Sequence, residues 1–285
     1  MRHINRQNHL NYKEENMLMI SKITSIKVGI VVSALCLASC DSSTGKEDAS
    51  KEADQSPQVE QSDGNEGFVK IFNGENLEGW EGDPTYWKVE DGNLVGEVTP
   101  TTLLKTNTFI IWQGGELADF ELKGEFKITE AGNSGINYRS EQLTDIPFAL
   151  RGYQADIDGK NSYTGQNYEE RKRTTLAYRG QATTIKPLEG DIKENVERNA
   201  WLGLEVTESL GDRDSLKTLI KSEDWNSFHL VIKGNRLQHY INGVLMSDVT
   251  DEDTVNRSME GLLGVQVHVG PPMKVQYRDL LLKKL

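Results

Sequence analysis

A chain of 285 residues, 36% hydrophobic and 27% charged, has enough apolar material for one large core. Its net charge of −12 excludes a nucleic-acid binder, which needs a basic surface to neutralise phosphates. The two cysteines, Cys36 and Cys40, both lie near the N-terminus, which excludes a disulfide framework or a thiolate zinc site downstream.

Val28 to Leu37 is an apolar run preceded by Lys22 and Lys27, too short to span a membrane and shaped like the h-region of a signal peptide. It ends in Leu37-Ala38-Ser39-Cys40, the pattern of a bacterial lipobox, in which cleavage precedes an acylated cysteine. Residues 1–39 are therefore expected to be a lipoprotein signal peptide, with lipidation at Cys40; the polar stretch before Met17 makes Met17 or Met19 an alternative start. Residues 40–66 hold no aromatic residue and one valine, so they cannot bury enough apolar surface to offset ordering and read as an acidic, disordered tether. The expected location is exported and membrane-anchored through that lipid, on a periplasmic or cell-surface face.

From Gly67 to Leu285 short β-type runs alternate with turn signals. Tyr86 to Gly96 reads as a hairpin turning at Asp91-Gly92-Asn93. Phe120, Leu122, Phe126 and Ile128 alternate with charged residues, as do Phe228, Leu230 and Ile232 with Ser227, His229 and Val231, the period of half-buried strands. Gly234-Asn235 and Asn242-Gly243 turn the chain around Leu237 to Ile241, and strands at Leu262–Val269 and Lys274–Leu282 close it. Helical leanings are confined to Glu189–Asn199 and Asp212–Lys221, read as insertions. The fold class predicted is all-β: one domain over 67–285, a sandwich or jelly roll of two antiparallel sheets with short helical insertions.

Three strand-like segments carry polar groups on one face. Asn137 and Arg139 alternate with Ile136 and Tyr138, Gln154 and Asp156 with Tyr153, Ala155 and Ile157, and Gln266 and His268 with Val265, Val267 and Val269. In one sheet these groups would converge on a surface of paired donors and acceptors, which suits sugar hydroxyls. The bland reading is a solvated sheet face, but such faces are richer in Lys, Glu and Thr. Gly165 to Arg173 reads as a charged loop entering a strand, with Tyr168, Arg173 and Arg179 as further binding candidates. His229 and His239 read as surface or hairpin residues. No phosphate loop, H-E-x-x-H or G-x-S-x-G motif is present.

Phe68 to Gly74, Leu77 to Trp80 and Trp87 to Gly96 resemble the opening of the 3-keto-disaccharide hydrolase family, whose members are also described as 3-keto-glucoside 1,2-lyases and 2-hydroxy-3-keto-glucal hydratases. Asp119 to Leu122, Asn133 to Arg139 and Gly152 to Asp156 are similar to its central motifs, and Trp225-Asn226, Asn242-Gly243 and Gly264 to His268 through Tyr277 to Leu280 to its closing ones. The ordered set spans the whole domain, apart from an insertion at Gly190–Leu219 and the Tyr153-Gln154-Ala155 variation.

The resemblance implies a concanavalin A-like jelly roll that cleaves 3-keto-glucosides. The C3 ketone acidifies the C2 hydrogen, a base removes it, the enediolate expels the C1 substituent, and water addition gives net hydrolysis. Asp156 or His268 would serve as base or acid, Arg139 would face the developing oxyanion, and Asn137, Gln154 and Gln266 would orient hydroxyls. His268 with Asp156 could instead hold a divalent ion, though their spacing carries no metal signature and no cofactor is assigned. The rival readings are a non-catalytic glycan-binding sandwich, a conventional two-carboxylate glycoside hydrolase and a structural surface lipoprotein.

Overall fold

The computed structural model describes residues 65–188 and 203–285, with Lys193 and Trp201. The signal peptide, the lipobox, all but the end of the tether, and the Glu189–Asn199 insertion apart from Lys193 lie outside the described residues.

The domain begins with β1 (Val69–Lys70), β2 (Trp80–Gly82), β3 (Trp87–Glu90) and β4 (Asn93–Val98). The β3–β4 hairpin turns at Asp91 and Gly92, both at positive φ (50° and 77°), as the right-handed strand twist favours. Next come β5 (Thr108–Trp112), β6 (Phe120–Ile128), β7 (Asn133–Gln142), β8 (Leu150–Asp158), β9 (Asn167–Glu170), β10 (Thr174–Ala177), β11 (Gln181–Ile185) and β12 (Leu204–Ser209). A five-residue helix, α1 (Arg213–Lys217), falls inside the expected 212–221 insertion and is capped by Asp212, which accepts from the Ser215 amide. A meander of β13 (Asn226–Lys233), β14 (Arg236–Ile241) and β15 (Val244–Asp251) turns where the Gly and Asn pairs lie, and β16 (Leu262–Val267) and β17 (Met273–Lys284) finish the chain.

Among the described residues ten strands form one sheet in the order β12-β11-β15-β14-β13-β6-β17-β4-β3, with β1 beside β17; seven form the other, β10-β9-β8-β7-β16-β5-β2. This is a concanavalin A-like jelly roll. It departs from the expected wholly antiparallel sheets at one pair, because β11 and β15 run parallel. The chain enters β11 from β10 of the other sheet, so no hairpin dictates its direction.

The sheets meet through alternate residues. On β6, Phe120, Leu122, Phe126 and Ile128 are buried between half-buried charged neighbours. From the smaller sheet, Tyr138 and Tyr153 stack at 5.6 Å between ring centres, and Phe120 meets Tyr138 edge-on at 6.1 Å.

His239 is fully buried in this core, which corrects the surface reading: it belongs to the inward series Leu237, His239, Ile241. Its Nδ1 lies 3.3 Å from the Gln166 carbonyl, which can only accept, so Nδ1 carries the hydrogen and Nε2 accepts from the Tyr138 hydroxyl at 2.9 Å. Burial lowers its pKa from 6.5 to about 4. The unfolded chain therefore takes up this proton first as pH falls, so the stability that His239 contributes is complete above pH 6.5 and is lost as pH falls through about 4. The expected loss is about 3 kcal/mol, absent from a His239→Gln variant when urea unfolding is measured from pH 7 to pH 4.

Candidate functional site

The three polar segments are neighbours, β8-β7-β16, in the smaller sheet. Ile136, Tyr138, Tyr153, Ile157, Val265 and Val267 face the core, so residues opposite in phase point outward. Gln154 stands opposite Asn137 on one side and Tyr168 on the other, and Asp156 stands opposite Gly135. On this outer face is a cavity of about 270 Å³, lined by Gln154, Asp156, Tyr168 and His268 among the expected residues. Asn133, Gln166, Glu170 and Thr175 also line it, and the exposed rings of Tyr163 and Tyr178 complete its wall.

Asp156 is the chemical centre of this cavity. Gln154 Nε2 donates to its Oδ1 at 2.6 Å and Gln166 Nε2 to its Oδ2 at 2.5 Å. Burial nevertheless raises the carboxyl from 3.8 to about 7, outweighing both amide donors, with the charges of Glu170 and Asp158 pushing the same way. Gln266 Nε2 donates to Gln154 Oε1 at 3.1 Å, which fixes the Gln154 amide with its NH₂ toward Asp156. A Cβ on Gly135 would lie 2.4 Å from Gln154 Cδ, so only glycine lets Gln154 rest there. Asn137 is buried at the same level, with both amide atoms unpartnered.

Glu170 supplies a second carboxyl, also raised, chiefly by burial, against hydrogen bonds and charges from Asn107, Arg171 and His268. Asn107 donates to Glu170 Oε1 at 3.0 Å and accepts from the Val269 amide at 2.9 Å, tying the residue after His268 to Glu170. His268 Nδ1 donates to the Val269 carbonyl at 2.6 Å, leaving Nε2 for other partners. Burial raises the Tyr168 phenol, which stays protonated at neutral pH and can donate. Among the described residues no three His, Cys, Asp or Glu side chains converge as metal ligands.

The three arginines lie elsewhere. Arg139 does not share the Asn137 face: the β7–β8 register shifts between Tyr138 and Glu141, and Arg139 sits at φ 44°, so a bulge breaks the alternation. Its buried guanidinium donates to the carbonyls of Ala118 and Gly234 at 2.8 and 2.7 Å and to Asp119 at 3.0 Å. Arg139→Met is therefore expected to cost about 2–4 kcal/mol of stability by orphaning these acceptors, with kcat/KM of the folded variant changed less than about threefold.

Arg173 points into the interior, bonded to Glu169 and Asp251 and 3.3 Å from Asp253. Arg179 is buried behind the cavity wall, donating to the Thr164 and Arg213 carbonyls at 2.7 and 3.1 Å. Sequence reasoning missed Glu170 and Gln166 because Gly165–Arg173 was read as a loop. Its middle is the strand β9, Asn167–Glu170, and the Gln166, Tyr168, Glu170 alternation was the available signal.

Residues 67–283 match the 3-keto-alpha-glucoside-1,2-lyase-like domain. The chain is 30% identical over 90 residues to a 3-keto-disaccharide hydrolase of Bacteroides thetaiotaomicron, covering 28% of this chain and 29% of that protein. Among solved structures, a Parabacteroides distasonis protein provisionally described as a glycosyl hydrolase aligns at TM-score 0.47 and 17% identity over 76% of this chain and 99% of its own. The carbohydrate-binding module CBM66 of Bacillus subtilis aligns at TM-score 0.45 and 14% identity over 72% and 96%.

Proposed function

The chain belongs to the 3-keto-alpha-glucoside-1,2-lyase-like domain family, and from that premise we propose that its cavity cleaves 3-keto-glucosides by elimination across C1 and C2. The observation that carries this reading is Asp156: a buried carboxyl with a pKa of about 7, held by two amides in a polar cavity. At neutral pH it divides between acid and base, as a group that must take and later return one proton requires.

In this scheme the carboxylate of Asp156 takes the C2 hydrogen made acidic by the C3 ketone. The electron pair moves into an enediolate, whose oxygen accepts from the Tyr168 hydroxyl. Collapse breaks the bond from C1 to its substituent, and the leaving oxygen takes a proton from Glu170 or from His268. Water then adds across C1 and C2: its oxygen joins C1, its proton restores the acid that served the leaving group, and C2 takes from Asp156 a proton that has exchanged with solvent, giving net hydrolysis. Arg139, buried against Asp119, takes no part.

The paired raised carboxyls Asp156 and Glu170 also favour a second reading, direct glycoside hydrolysis without a ketone. Incubation with a 3-keto-glucoside and with the same glucoside unoxidised separates them: release of aglycone from the oxidised compound alone is expected, and equal release from both would replace elimination by direct hydrolysis.

We also propose that the domain reaches its substrate tethered to a membrane through the lipid on Cys40. A Cys40→Ser variant of the full chain is expected to move from the membrane to the soluble fraction. An unchanged membrane fraction would overturn the lipid anchor.

A further inference from the structure

Breaking and remaking the bonds of C1 takes two proton transfers of opposite sense. The leaving oxygen must gain a proton, and the water that later adds at C1 must lose one. Both candidates for this work stand at one end of the cavity. Val267, the last residue of β16, pairs with Thr108, the first of β5, and His268 and Asn107 are the next residues outward.

Asn107 Oδ1 accepts from the Val269 amide at 2.9 Å, so its NH₂ is the end turned to Glu170, donating to Oε1 at 3.0 Å. Arg171 Nε lies 3.5 Å from that same oxygen. The neutral acid, which burial favours, therefore carries its hydrogen on Oε2. His268 is opposite in kind. Its Nδ1 lies 2.6 Å from the Val269 carbonyl, which can only accept, so Nδ1 carries the ring hydrogen. In the uncharged ring Nε2 is then a lone pair, able to take a proton and unable to give one. One side chain is set to donate where the other is set to accept.

We infer that Glu170 is the acid that serves the leaving oxygen and that His268 is the base that takes a proton from the water adding at C1. This rests on the elimination reading of the cavity. As Asp156 takes the C2 hydrogen, the bond from C1 to its oxygen breaks, and that oxygen leaves with the Oε2 proton of Glu170. What remains is an unsaturated sugar with a C1–C2 double bond conjugated to the C3 ketone. The oxygen of water then bonds to C1 as one of its protons moves to Nε2, the double-bond pair shifts onto C2, and Asp156 protonates C2. The His268 imidazolium passes its extra proton to the Glu170 carboxylate, with whose charge it interacts.

The test follows aglycone and unsaturated sugar separately in wild type, His268→Gln and Glu170→Gln. The starting compounds are methyl 3-keto-glucoside, nitrophenyl 3-keto-glucoside and the unsaturated sugar itself. His268→Gln is expected to slow hydration of the supplied unsaturated sugar about a hundredfold and aglycone release less than about tenfold, so that this sugar accumulates from the glucosides. Glu170→Gln, an isosteric change that keeps an oxygen for Asn107, is expected to slow release of methanol about a hundredfold, and of nitrophenol, which needs no acid, at least about tenfold less than that. Unchanged hydration in His268→Gln, or equal loss of both steps, would overturn the role of His268. Equal loss for the two leaving groups in Glu170→Gln would overturn that of Glu170. If wild type releases aglycone from neither glucoside, the elimination reading fails separately, and the supplied unsaturated sugar decides the inference. Hydration by wild type that is lost in His268→Gln supports the base; no hydration by wild type overturns it.

Discussion

Asp156→Asn is expected to lower kcat/KM on a 3-keto-glucoside by about a thousandfold while making the protein more stable at pH 8. The kinetic loss follows from removing a general base, a term of roughly 10²–10⁴ in rate. The gain in stability follows from the same burial that tunes the group. A carboxyl raised from 3.8 to about 7 binds its proton more tightly folded than unfolded, so its contribution is fully present below pH 3.8 and is lost as pH rises through 7. Asparagine does not titrate, so the variant should match wild type near pH 4 and exceed it by up to about 4 kcal/mol above pH 8. The substitution has a ready hydrogen-bond arrangement, because the unpartnered Oε1 of Gln166 can turn to accept from the new amide. Urea unfolding of both proteins from pH 4 to pH 8 checks this; parallel curves would mean that Asp156 is not strained in the native state.

Arg173→Met is expected to destabilise the fold by about 3–5 kcal/mol, because it removes the cation that holds three buried carboxylates. Arg173 donates to Glu169 at 2.5 Å and to Asp251 at 2.6 Å, lies 3.3 Å from Asp253, and is itself fully buried. Methionine fills much of the space but neutralises nothing, leaving Lys172, 3.5 Å from Glu169, as the neighbouring cation. The deficit should shrink as pH is lowered, since protonating a stranded carboxylate removes its charge. A change below about 1 kcal/mol at neutral pH would show that the cluster is not what locks β9 and β10 to the end of β15 and the segment after it.

Both buried groups, Asp156 and His239, titrate across the same acid range with opposite sign. Acidification from pH 7 to pH 4 relieves the strain at Asp156 and removes the contribution of His239. From these two residues alone the wild-type profile should be nearly flat, while the two single variants diverge from it in opposite directions.

The sheet faces were legible because period-2 alternation survives wherever a strand is regular. Gln154 and Asp156 could be placed on one surface from the sequence for that reason, and His268 followed by continuing β16, whereas Tyr168 was legible only as a residue of an edge loop. Arg139 broke the rule because a bulge and one left-handed residue reversed its side, and nothing in Tyr138-Arg139-Ser140 announces a bulge. Arg173 and Asp156 illustrate a second limit. Both are polar residues amid apolar ones, and only the neighbours distinguish them: three carboxylates neutralise the arginine, whereas two neutral amides leave the aspartate strained and reactive. Those neighbours come from distant parts of the chain, so no local pattern carries the distinction.

In the elimination scheme Asp156 breaks the C–H bond at C2. A 3-keto-glucoside carrying deuterium at C2 tests this directly, with mass analysis of the released sugar against an enzyme-free control. Elimination and rehydration require the deuterium to be replaced by solvent hydrogen and C–D cleavage to slow turnover, with both signatures vanishing in Asp156→Asn. Release of aglycone with C2 deuterium retained in the product would contradict it.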